Sequence, residues 1–239
     1  MPWQWYDSKV VEIKDMSPNV KQFFLEVDGI EDFDFKAGQF ITLDLPISEK
    51  RLKRWRSYSI AGHPNGSNII ELCIVYLDGG LGTDYLFNEV KVGTEVRFKG
   101  PSGAFYLPEE VKKDLVMICT GTGVAPFRSM LFDILRKKKE HQNIHLIFGA
   151  RREDDILYRA EFEKLSHEME WFSYDICLSR AEEWSGLKGY VHQVYMKKEY
   201  SQNTKYYLCG WSQMIDEAVE NLLIKKKIDP KEIIYELYG

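Results

Sequence analysis

Short runs of alternating apolar and polar residues dominate the first hundred positions of the chain. Alternation with a period of two is typical of β-strands that bury one face. Turn sequences such as Pro64-Asn65-Gly66 separate the runs. The pattern predicts six antiparallel strands in a small closed barrel, with one short helix at 83–89. The strands are predicted at 9–13, 21–27, 39–45, 56–61, 69–77 and 95–99.

The pattern changes after Pro108, where strand-like apolar segments alternate with helical ones. Such alternation is typical of a parallel sheet with helices on both faces. We therefore predict an all-β plus α/β chain, with an antiparallel β-barrel domain at 1–108 and a parallel α/β domain at 109–239. The predicted strands are 115–119, 144–148, 174–178, 206–209 and 233–238, and the helices are 127–139, 159–169, 191–197 and 213–226.

Composition and charge narrow the class of protein. The 239 residues are 44% hydrophobic and 29% charged, which is typical of a soluble globular protein. The net charge of −5 argues against general nucleic-acid binding, and no apolar run approaches the roughly 18 residues of a membrane span. Residues 1–7 lack the basic flank and apolar core of a signal peptide. We expect a cytoplasmic location, and a monomer.

The four cysteines, Cys73, Cys119, Cys177 and Cys209, lie far apart in strand-like stretches. No Cys-x2-Cys pair is present, which argues against a zinc site, and the spacing of iron–sulfur ligands is absent too. We therefore predict no metal site, and no disulfides because the cytosol is reducing.

Residues 120–126 have the sequence Thr-Gly-Thr-Gly-Val-Ala-Pro between a predicted strand and a predicted helix. Glycines there let the main chain approach a phosphate, and the free N–H groups of a helix N-terminus bind that anion. Ligands of open parallel sheets bind beyond the carboxyl ends of the strands, where this segment, Cys209 and the loop after Cys177 are expected. Proline fits the first helical turn, where its missing N–H costs nothing. We predict nucleotide contacts at Thr120, Gly121, Thr122, Gly123 and Pro126.

The tetrapeptide Arg56-Ser57-Tyr58-Ser59 lies on the fourth predicted strand. Alternation directs Arg56 and Tyr58 to one side and the two serines to the other. A guanidinium can neutralise a pyrophosphate, a tyrosine ring can stack on an isoalloxazine, and a serine hydroxyl can hydrogen-bond a ring nitrogen. Taken alone, the tetrapeptide is more typical of an ordinary barrel strand, so the context decides between the two interpretations.

Three motifs follow one another along the chain: Arg56–Ser59, then residues 120–126, then Cys209-Gly210. Their sequences and this order resemble the ferredoxin–NADP+ reductase family of flavoproteins. Gly-Leu-Gly-Thr at 80–83 is similar to the family segment where a helix N-terminus meets the FAD pyrophosphate, and residues 100–105 are similar to the turn that closes its barrel. The resemblance covers about residues 10–239 and implies a FAD-binding barrel followed by an NADP-binding α/β domain. It implies that FAD is bound by Arg56, Ser57, Tyr58, Ser59, Gly82, Thr83 and main-chain groups around Ile74 and Tyr76.

Selectivity for NADPH requires groups for its 2′-phosphate. Ser179, Arg180, Lys188 and Tyr190 match the Ser-Arg and Lys-x-Tyr of NADP-selective family members. The resemblance therefore implies that NADPH is preferred over NADH. A solvated pair of loop charges is the alternative, since many NADH-using relatives also carry Ser-Arg.

The resemblance also implies a reacting centre. Cys209, Gly210 and Met214 match a Cys-Gly-x-x-x-Met segment beside the nicotinamide, where Cys209 positions the ring and is not a nucleophile. Glu236 and Tyr238 match the Glu-x-Tyr ending of the plant-type members, with the ring over the flavin and the carboxylate near the transferred hydride, although this chain adds Gly239. A final core strand is the alternative. The implied catalytic residues are Ser59, Cys209 and Glu236.

The function implied is electron transfer between NADPH and a one-electron carrier through FAD. A small acidic carrier, ferredoxin or flavodoxin, is expected to dock near the basic cluster Lys50–Arg56, although these cations could serve only the FAD phosphates. The alternatives are a flavin or ferric–siderophore reductase, the reductase component of an oxygenase, an NADH-dependent reductase similar to cytochrome b5 reductase, and a non-catalytic subunit that retains the fold.

Overall fold

The computed structural model describes residues 4–238, which divide into two compact units. The first unit comprises Met1–Leu107 and Ala125–Lys137, and the second comprises Pro108–Val124 and Lys138–Gly239. Among residues 4–238, no helix is long and apolar enough to cross a membrane. Nor does this part of the chain bring together three His, Cys, Asp or Glu side chains that could hold a metal ion.

Six antiparallel strands build the first unit. They are β1 (Trp5–Ser17), β2 (Val20–Val27), β3 (Phe40–Asp44), β4 (Trp55–Ser59), β5 (Ile69–Val75) and β6 (Glu95–Ser102). In the order β4-β3-β6-β1-β2-β5, each strand pairs antiparallel with its neighbour. A bridge between Ile60 and Leu72 joins the two outer strands of this order. The sheet therefore closes on itself, and the predicted barrel is confirmed.

The inward positions of the strands form the apolar core of this barrel, with Phe23, Ile41 and Phe98 fully buried. β1 extends beyond the predicted 9–13 at both ends because residues 5–8 pair with β6 and residues 14–17 pair with β2. Two short helices accompany the strands. α1 (Arg51–Arg54), which the sequence pattern did not predict, precedes β4, and α2 (Leu81–Asn88) begins earlier than the predicted 83–89.

Six parallel strands build the sheet of the second unit. They are β7 (Asp114–Thr120), β8 (Ile144–Ala150), β9 (Phe172–Leu178), β10 (Leu187–Lys188), β11 (Thr204–Trp211) and β12 (Ile233–Tyr238). The spatial order is β10-β9-β8-β7-β11-β12. The chain thus runs outward from β7 to β10 and then returns to the other side of β7 with β11. This reversal lies between β7 and β11, the position at which open parallel sheets bind ligands.

Three helices cover both faces of the parallel sheet, as predicted. They are α4 (Arg159–Glu168), α5 (His192–Lys197) and α6 (Ser212–Glu220). Phe162 of α4 packs on Tyr174 of β9, with ring centroids 5.4 Å apart. Cys177 points to the opposite face of the same strand and joins α5 and α6 in an apolar cluster. The predicted helix 213–226 is interrupted, because α6 is followed by a π-helical turn, Asn221–Lys225.

The remaining helix, α3 (Ala125–Lys137), follows β7 in the chain but belongs to the first unit. Its Phe127 lies 5.7 Å from Phe105 between ring centroids, and a side chain at Gly38 would collide with its Met130. α3 therefore packs on the connections at one end of the barrel. The division into domains at 1–108 and 109–239 stays a prediction.

Candidate functional site

The N-terminus of α2 and the side chain of Arg56 form the first candidate anion site. Gly80 precedes the helix in an extended conformation, and the N–H groups of a first helical turn have no partner within the helix. A Cβ added at Gly82 would stand only 2.9 Å from Arg56 Cγ, so Arg56 lies directly against this turn. Its Nη1 donates hydrogen bonds to the carbonyls of Lys53 (3.0 Å) and Trp55 (2.8 Å). A guanidinium beside free N–H groups suits a pyrophosphate.

Thr83 fixes the loop in front of α2. Its hydroxyl oxygen accepts a hydrogen bond from the N–H of Leu77 at 3.1 Å and lies 3.0 Å from the carbonyl oxygen of Gly80. The structure therefore gives this hydroxyl a role in shaping loop 77–80. A direct hydrogen bond from Thr83 to FAD stays a prediction.

β4 and β5 separate beyond their bridge and leave an opening. Within residues 4–238 the isolated bridge is the one ladder contact between them. Counting on from the bridge, Tyr58 comes opposite Ile74 and Arg56 comes opposite Tyr76. The side chain of Ile74 is buried in the barrel core, and the ring of Tyr76 lies against α2. The opening therefore runs toward Arg56 and α2, and its occupation by a flavin stays a prediction.

The other side chains of β4 alternate as predicted. Tyr58 is half-buried against the barrel core, and burial raises its pKa to about 12, so the phenol stays neutral. On the side of the strand opposite to Tyr58, the hydroxyl of Ser57 lies 2.9 Å from the hydroxyl of Thr42. Ser59 is the last residue of the strand and is 5% exposed, and it lies on the same side of the strand as Ser57. β4 therefore presents an aromatic ring on one face and hydroxyl groups on the other.

The second candidate anion site is the Gly-rich turn, Gly121–Val124, a 3-10 turn that joins β7 to α3. Gly121 adopts a φ of +52°, which favours glycine. A Cβ added at Gly123 would stand 2.6 Å from Gly210 Cα and would collide with the carbonyl of Cys209. The turn therefore presses against the end of β11, and only glycine fits at position 123.

The end of β7 meets the same part of β11. The hydroxyl of Thr120 accepts a hydrogen bond from the N–H of Trp211 at 3.2 Å. A Cβ at Gly210, which has a φ of +133°, would stand 2.6 Å from that hydroxyl. Thr122 and Pro126 are buried beside these contacts. Two glycine-bearing segments thus meet at the reversal point of the sheet, where the sequence predicts the nucleotide.

Cys209 is a buried, neutral thiol at the end of β11. It is 0% exposed. Burial raises the pKa of its thiol far above the usual range, and the Glu236 carboxylate acts in the same direction. The side chain of Tyr238 acts on this pKa in the opposite direction, with a smaller effect. Such a thiol is a poor nucleophile, in agreement with a positioning role, and its contact with a nicotinamide stays a prediction.

The C-terminal residues of the predicted site lie on β12. Glu236 pairs with Cys209 in the parallel ladder, and the carbonyl of Tyr238 accepts a hydrogen bond from the Ser212 hydroxyl at 3.2 Å. Met214 is buried in the apolar cluster under α6, so its evident role is to pack this helix against its neighbours. A contact between Met214 and a cofactor stays a prediction. Gly239 lies outside the described residues.

The predicted 2′-phosphate residues meet at the end of β9. The main-chain N–H groups of Ser179 and Arg180 bind the carbonyls of Ala150 and Arg151, at 3.0 and 2.8 Å. Lys188 lies on β10 beside β9, and its ammonium group donates to the carbonyl of Glu182 at 2.5 Å. Tyr190 follows and is 68% exposed. The four predicted residues are therefore neighbours, with Lys188 directed at its own loop.

Sequence analysis missed the residue that holds this loop. Arg159 lies with its guanidinium 5.3 Å from the ring centroid of Trp184. Glu153 and Glu163 fix Arg159 through hydrogen bonds of 2.6 and 2.7 Å. The spacing of Arg159 and Glu163 on one helix was a signal for this pair, but the contact with Trp184 is tertiary.

Comparisons with known proteins agree with this geometry. The family described as Oxidoreductase FAD-binding domain matches residues 7–106, and the family described as Oxidoreductase NAD-binding domain matches residues 117–220. Ferredoxin--NADP reductase B of Sorangium cellulosum (strain So ce56) is 34% identical over 242 residues, which cover 98% of this chain and 97% of that protein. The predicted cofactor classes, FAD and a pyridine nucleotide, are thereby confirmed.

Other relatives are longer than this chain, and solved structures have a similar fold. The anthranilate 1,2-dioxygenase electron transfer component of Acinetobacter baylyi (strain ATCC 33305 / BD413 / ADP1) is 34% identical over 211 residues, but this chain covers only 60% of its length. The crystal structure of a ferredoxin NADP+ reductase from Neisseria gonorrhoeae with bound FAD and NADP superposes with a TM-score of 0.78, at 25% identity over 98% of both chains. The chain belongs to the ferredoxin–NADP+ reductase family and is an oxidoreductase with FAD-binding and NAD(P)-binding domains.

Proposed function

We propose that this protein takes electrons from NADPH and passes them one at a time, through FAD, to a small acidic carrier protein. The observation that supports this most is the position of Arg56 against the N-terminus of α2. A cation is unfavourable beside the positive end of a helix dipole. An anion between the two reverses the sign of that interaction, and the FAD pyrophosphate has the required charge.

The glycines keep both anion sites closely packed, because a Cβ would collide with Arg56 at position 82 and with the end of β11 at position 123. Bound FAD supplies the chemistry, since it accepts two electrons from a nicotinamide and releases them singly. The chain supplies binding and orientation. Arg56 and α2 hold the pyrophosphate, Tyr58 and Ser59 line the flavin opening, and the Gly-rich turn holds the nucleotide. Because the Cys209 thiol is neutral and buried, it positions its neighbours without forming an adduct.

The first experiment is a visible spectrum of the purified protein followed by anaerobic titration with NADPH and, separately, with NADH. We expect flavin bands that bleach at low NADPH. Protein that stays colourless after incubation with FAD would refute the flavoenzyme proposal.

Preference for NADPH over NADH is proposed from the four neighbouring residues at the end of β9. Arg180 is exposed and carries the charge that a 2′-phosphate needs. Arg180→Gln should raise the Kd for NADPH about tenfold or more and leave that for NADH unchanged. Lys164→Gln removes an exposed charge of α4 and is the matched control. Equal effects of Arg180→Gln on both nucleotides would refute the assignment.

The carrier is proposed to dock on the α1 surface, defined as Lys50, Arg51, Leu52 and Lys53. The rest of the predicted basic cluster is engaged elsewhere, because Arg54 Nε binds Asp44 at 2.8 Å and Arg56 lies on α2. All four residues of the α1 surface are exposed, and Leu52 is 78% exposed. Cations around an exposed apolar side chain suit an acidic partner with an apolar contact.

Charge reversal on the α1 surface tests this partner. Lys53→Glu should raise KM for a ferredoxin or flavodoxin without changing the reduction of ferricyanide by NADPH, and rising salt should remove the difference. Lys164→Glu, which makes the same charge change on α4, should change neither rate. Carrier reduction that is insensitive to Lys53→Glu would refute the docking site.

A second candidate function is reductase of an oxygenase, favoured by the similarity to the anthranilate 1,2-dioxygenase component. It predicts that an oxygenase accepts electrons directly and that a free ferredoxin or flavodoxin does not. The four cysteines are buried thiols, which suits a reducing compartment such as the cytoplasm for either function.

A further inference from the structure

α3 is fastened to the segment that continues β4. Three of its side chains donate hydrogen bonds to main-chain carbonyls of this segment. Arg128 Nη1 binds the carbonyl of Ala61 at 2.9 Å, Ser129 Oγ binds that of Gly62 at 2.6 Å, and Arg136 Nη1 binds that of Pro64 at 2.7 Å. These carbonyls follow Ser59 by two, three and five residues.

Arg128 is also anchored to β5. Its Nη1 lies 2.9 Å from Glu71 Oε2, and the two side chains are only 15% and 11% exposed. Gln22 donates a hydrogen bond to the other oxygen of Glu71 at 2.6 Å. The N–H of Ala61 bonds the carbonyl of Glu71 at 2.8 Å. The segment after Ser59 is therefore held between β5 and α3.

α3 begins at Ala125, immediately after the Gly-rich turn. Pro126 and Phe127 are buried in its first turn. A helix transmits a displacement of one end to the other with little loss, because its hydrogen bonds and its packed face resist bending. α3 therefore runs without interruption from the turn to the residues that bind the carbonyls after Ser59.

We propose that Arg128 is a positioning residue that couples occupancy of the Gly-rich turn to the flavin site at Ser59. This inference rests on the proposed binding of FAD and a pyridine nucleotide. It requires that NADP+ changes the affinity for FAD and that FAD changes the affinity for NADP+ by the same factor, because linkage is reciprocal. NADP+ cannot donate a hydride, so the coupling is measured without turnover.

The experiment measures the Kd of FAD for the apoprotein by fluorescence, with and without saturating NADP+. For the wild type, the ratio between the Kd values of FAD measured without and with NADP+ should be about fivefold or more. Arg128→Lys keeps the charge, but its ammonium nitrogen is one bond closer to Cα than Nη1, the atom that binds both Ala61 and Glu71, so its ratio should fall close to one. Lys137→Met breaks the ion pair with Asp133 on the same helix but leaves the three bonds to the segment after Ser59 in place, so it should keep the wild-type ratio.

Ser129→Ala provides a second variant in case Arg128→Lys folds poorly. It removes one hydroxyl and its bond to Gly62, and its ratio should lie between those of the wild type and Arg128→Lys. A wild-type ratio of one, or an unchanged ratio in both variants, overturns the inference. Failure of the wild type to bind FAD or NADP+ at all would instead overturn the proposed function.

Discussion

Replacing Gly123 by alanine removes the close approach between the Gly-rich turn and β11. The added Cβ would stand 2.6 Å from Gly210 Cα. An ordinary carbon–carbon contact begins at about 3.5 Å, so the turn has to retreat by about 1 Å. A main-chain hydrogen bond to a phosphate that lengthens by about 1 Å is lost, and such a charge-assisted bond is worth about 1.5–3 kcal/mol. We therefore expect Gly123→Ala to weaken NADP+ binding about 10- to 150-fold.

Calorimetric titration of the FAD-loaded protein with NADP+ measures this Kd directly. Gly29→Ala is the matched control, at a positive-φ glycine that belongs to neither anion site. Its φ is +74°, and nothing lies within 4 Å of an added Cβ, so alanine there strains the backbone by about 1 kcal/mol without a collision. We expect this variant to unfold at lower urea concentration while its Kd for NADP+ stays close to the wild-type value.

The flavin spectrum serves as an internal check, because Gly123 belongs to the second unit and Arg56 to the first. Wild-type NADP+ affinity in Gly123→Ala would refute the reasoning from the close contact. Complete loss of bound FAD would refute it as well, because displacement of the turn changes the FAD Kd by no more than the coupling factor, so the substitution would then act by unfolding the protein.

Three further outcomes follow from the contacts of other residues. Gly82→Ala should push Arg56 off α2 and raise the Kd of FAD about tenfold, as read from fluorescence titration of the apoprotein; an unchanged Kd would exclude this anion site. Cys209 should resist thiol reagents until urea unfolds the protein, because burial raises its pKa and hides its sulfur; rapid labelling of the folded protein would contradict this. The Asp175 carboxyl accepts a hydrogen bond from His145 at 2.9 Å, and this bond lowers the pKa of Asp175. The stability that the bond contributes is therefore present above the unfolded pKa of about 4, and it is lost as the pH falls through the lower pKa of the folded state. The free energy of unfolding, measured with urea, should therefore fall less between pH 5 and pH 3 in Asp175→Asn than in the wild type. Equal decreases would count against the bond.

The strands and helices were predictable because their alternation is local. The barrel and the parallel sheet follow from periods of two and of 3.6 residues, which burial on one face imposes on any sequence. The boundaries that differ depend on distant partners. β1 is long because its ends pair with different strands. α6 gives way to a π-helical turn where the buried side chain of Asn221 donates to the hydroxyl of Tyr195 at 3.0 Å.

The candidate site was predictable only as far as its motifs are contiguous. The glycines of the turn could be located from the sequence, but the reason for Gly123 lies in β11, almost ninety residues later. Side chains with several possible partners were not predictable either. Lys188 turns to the carbonyl of Glu182, Arg54 to Asp44, and Thr83 to its own loop, and nothing in their spacing selects these partners.

The assignment of α3 to the barrel unit bears on how this protein can be recombined with its relatives. The chain passes between the two units at three points, after Leu107, Val124 and Lys137, so a chimera joined near residue 108 receives its α3 from a different parent than its barrel. α3 donates hydrogen bonds to the main-chain carbonyls of Ala61, Gly62 and Pro64, and any parent supplies these acceptors. It also binds the Glu71 carboxylate, a side-chain acceptor that depends on the parent. Chimeras that bring an arginine at 128 together with a glutamate at 71 should therefore be the ones that retain a native α3, whatever the identity of the rest of the barrel.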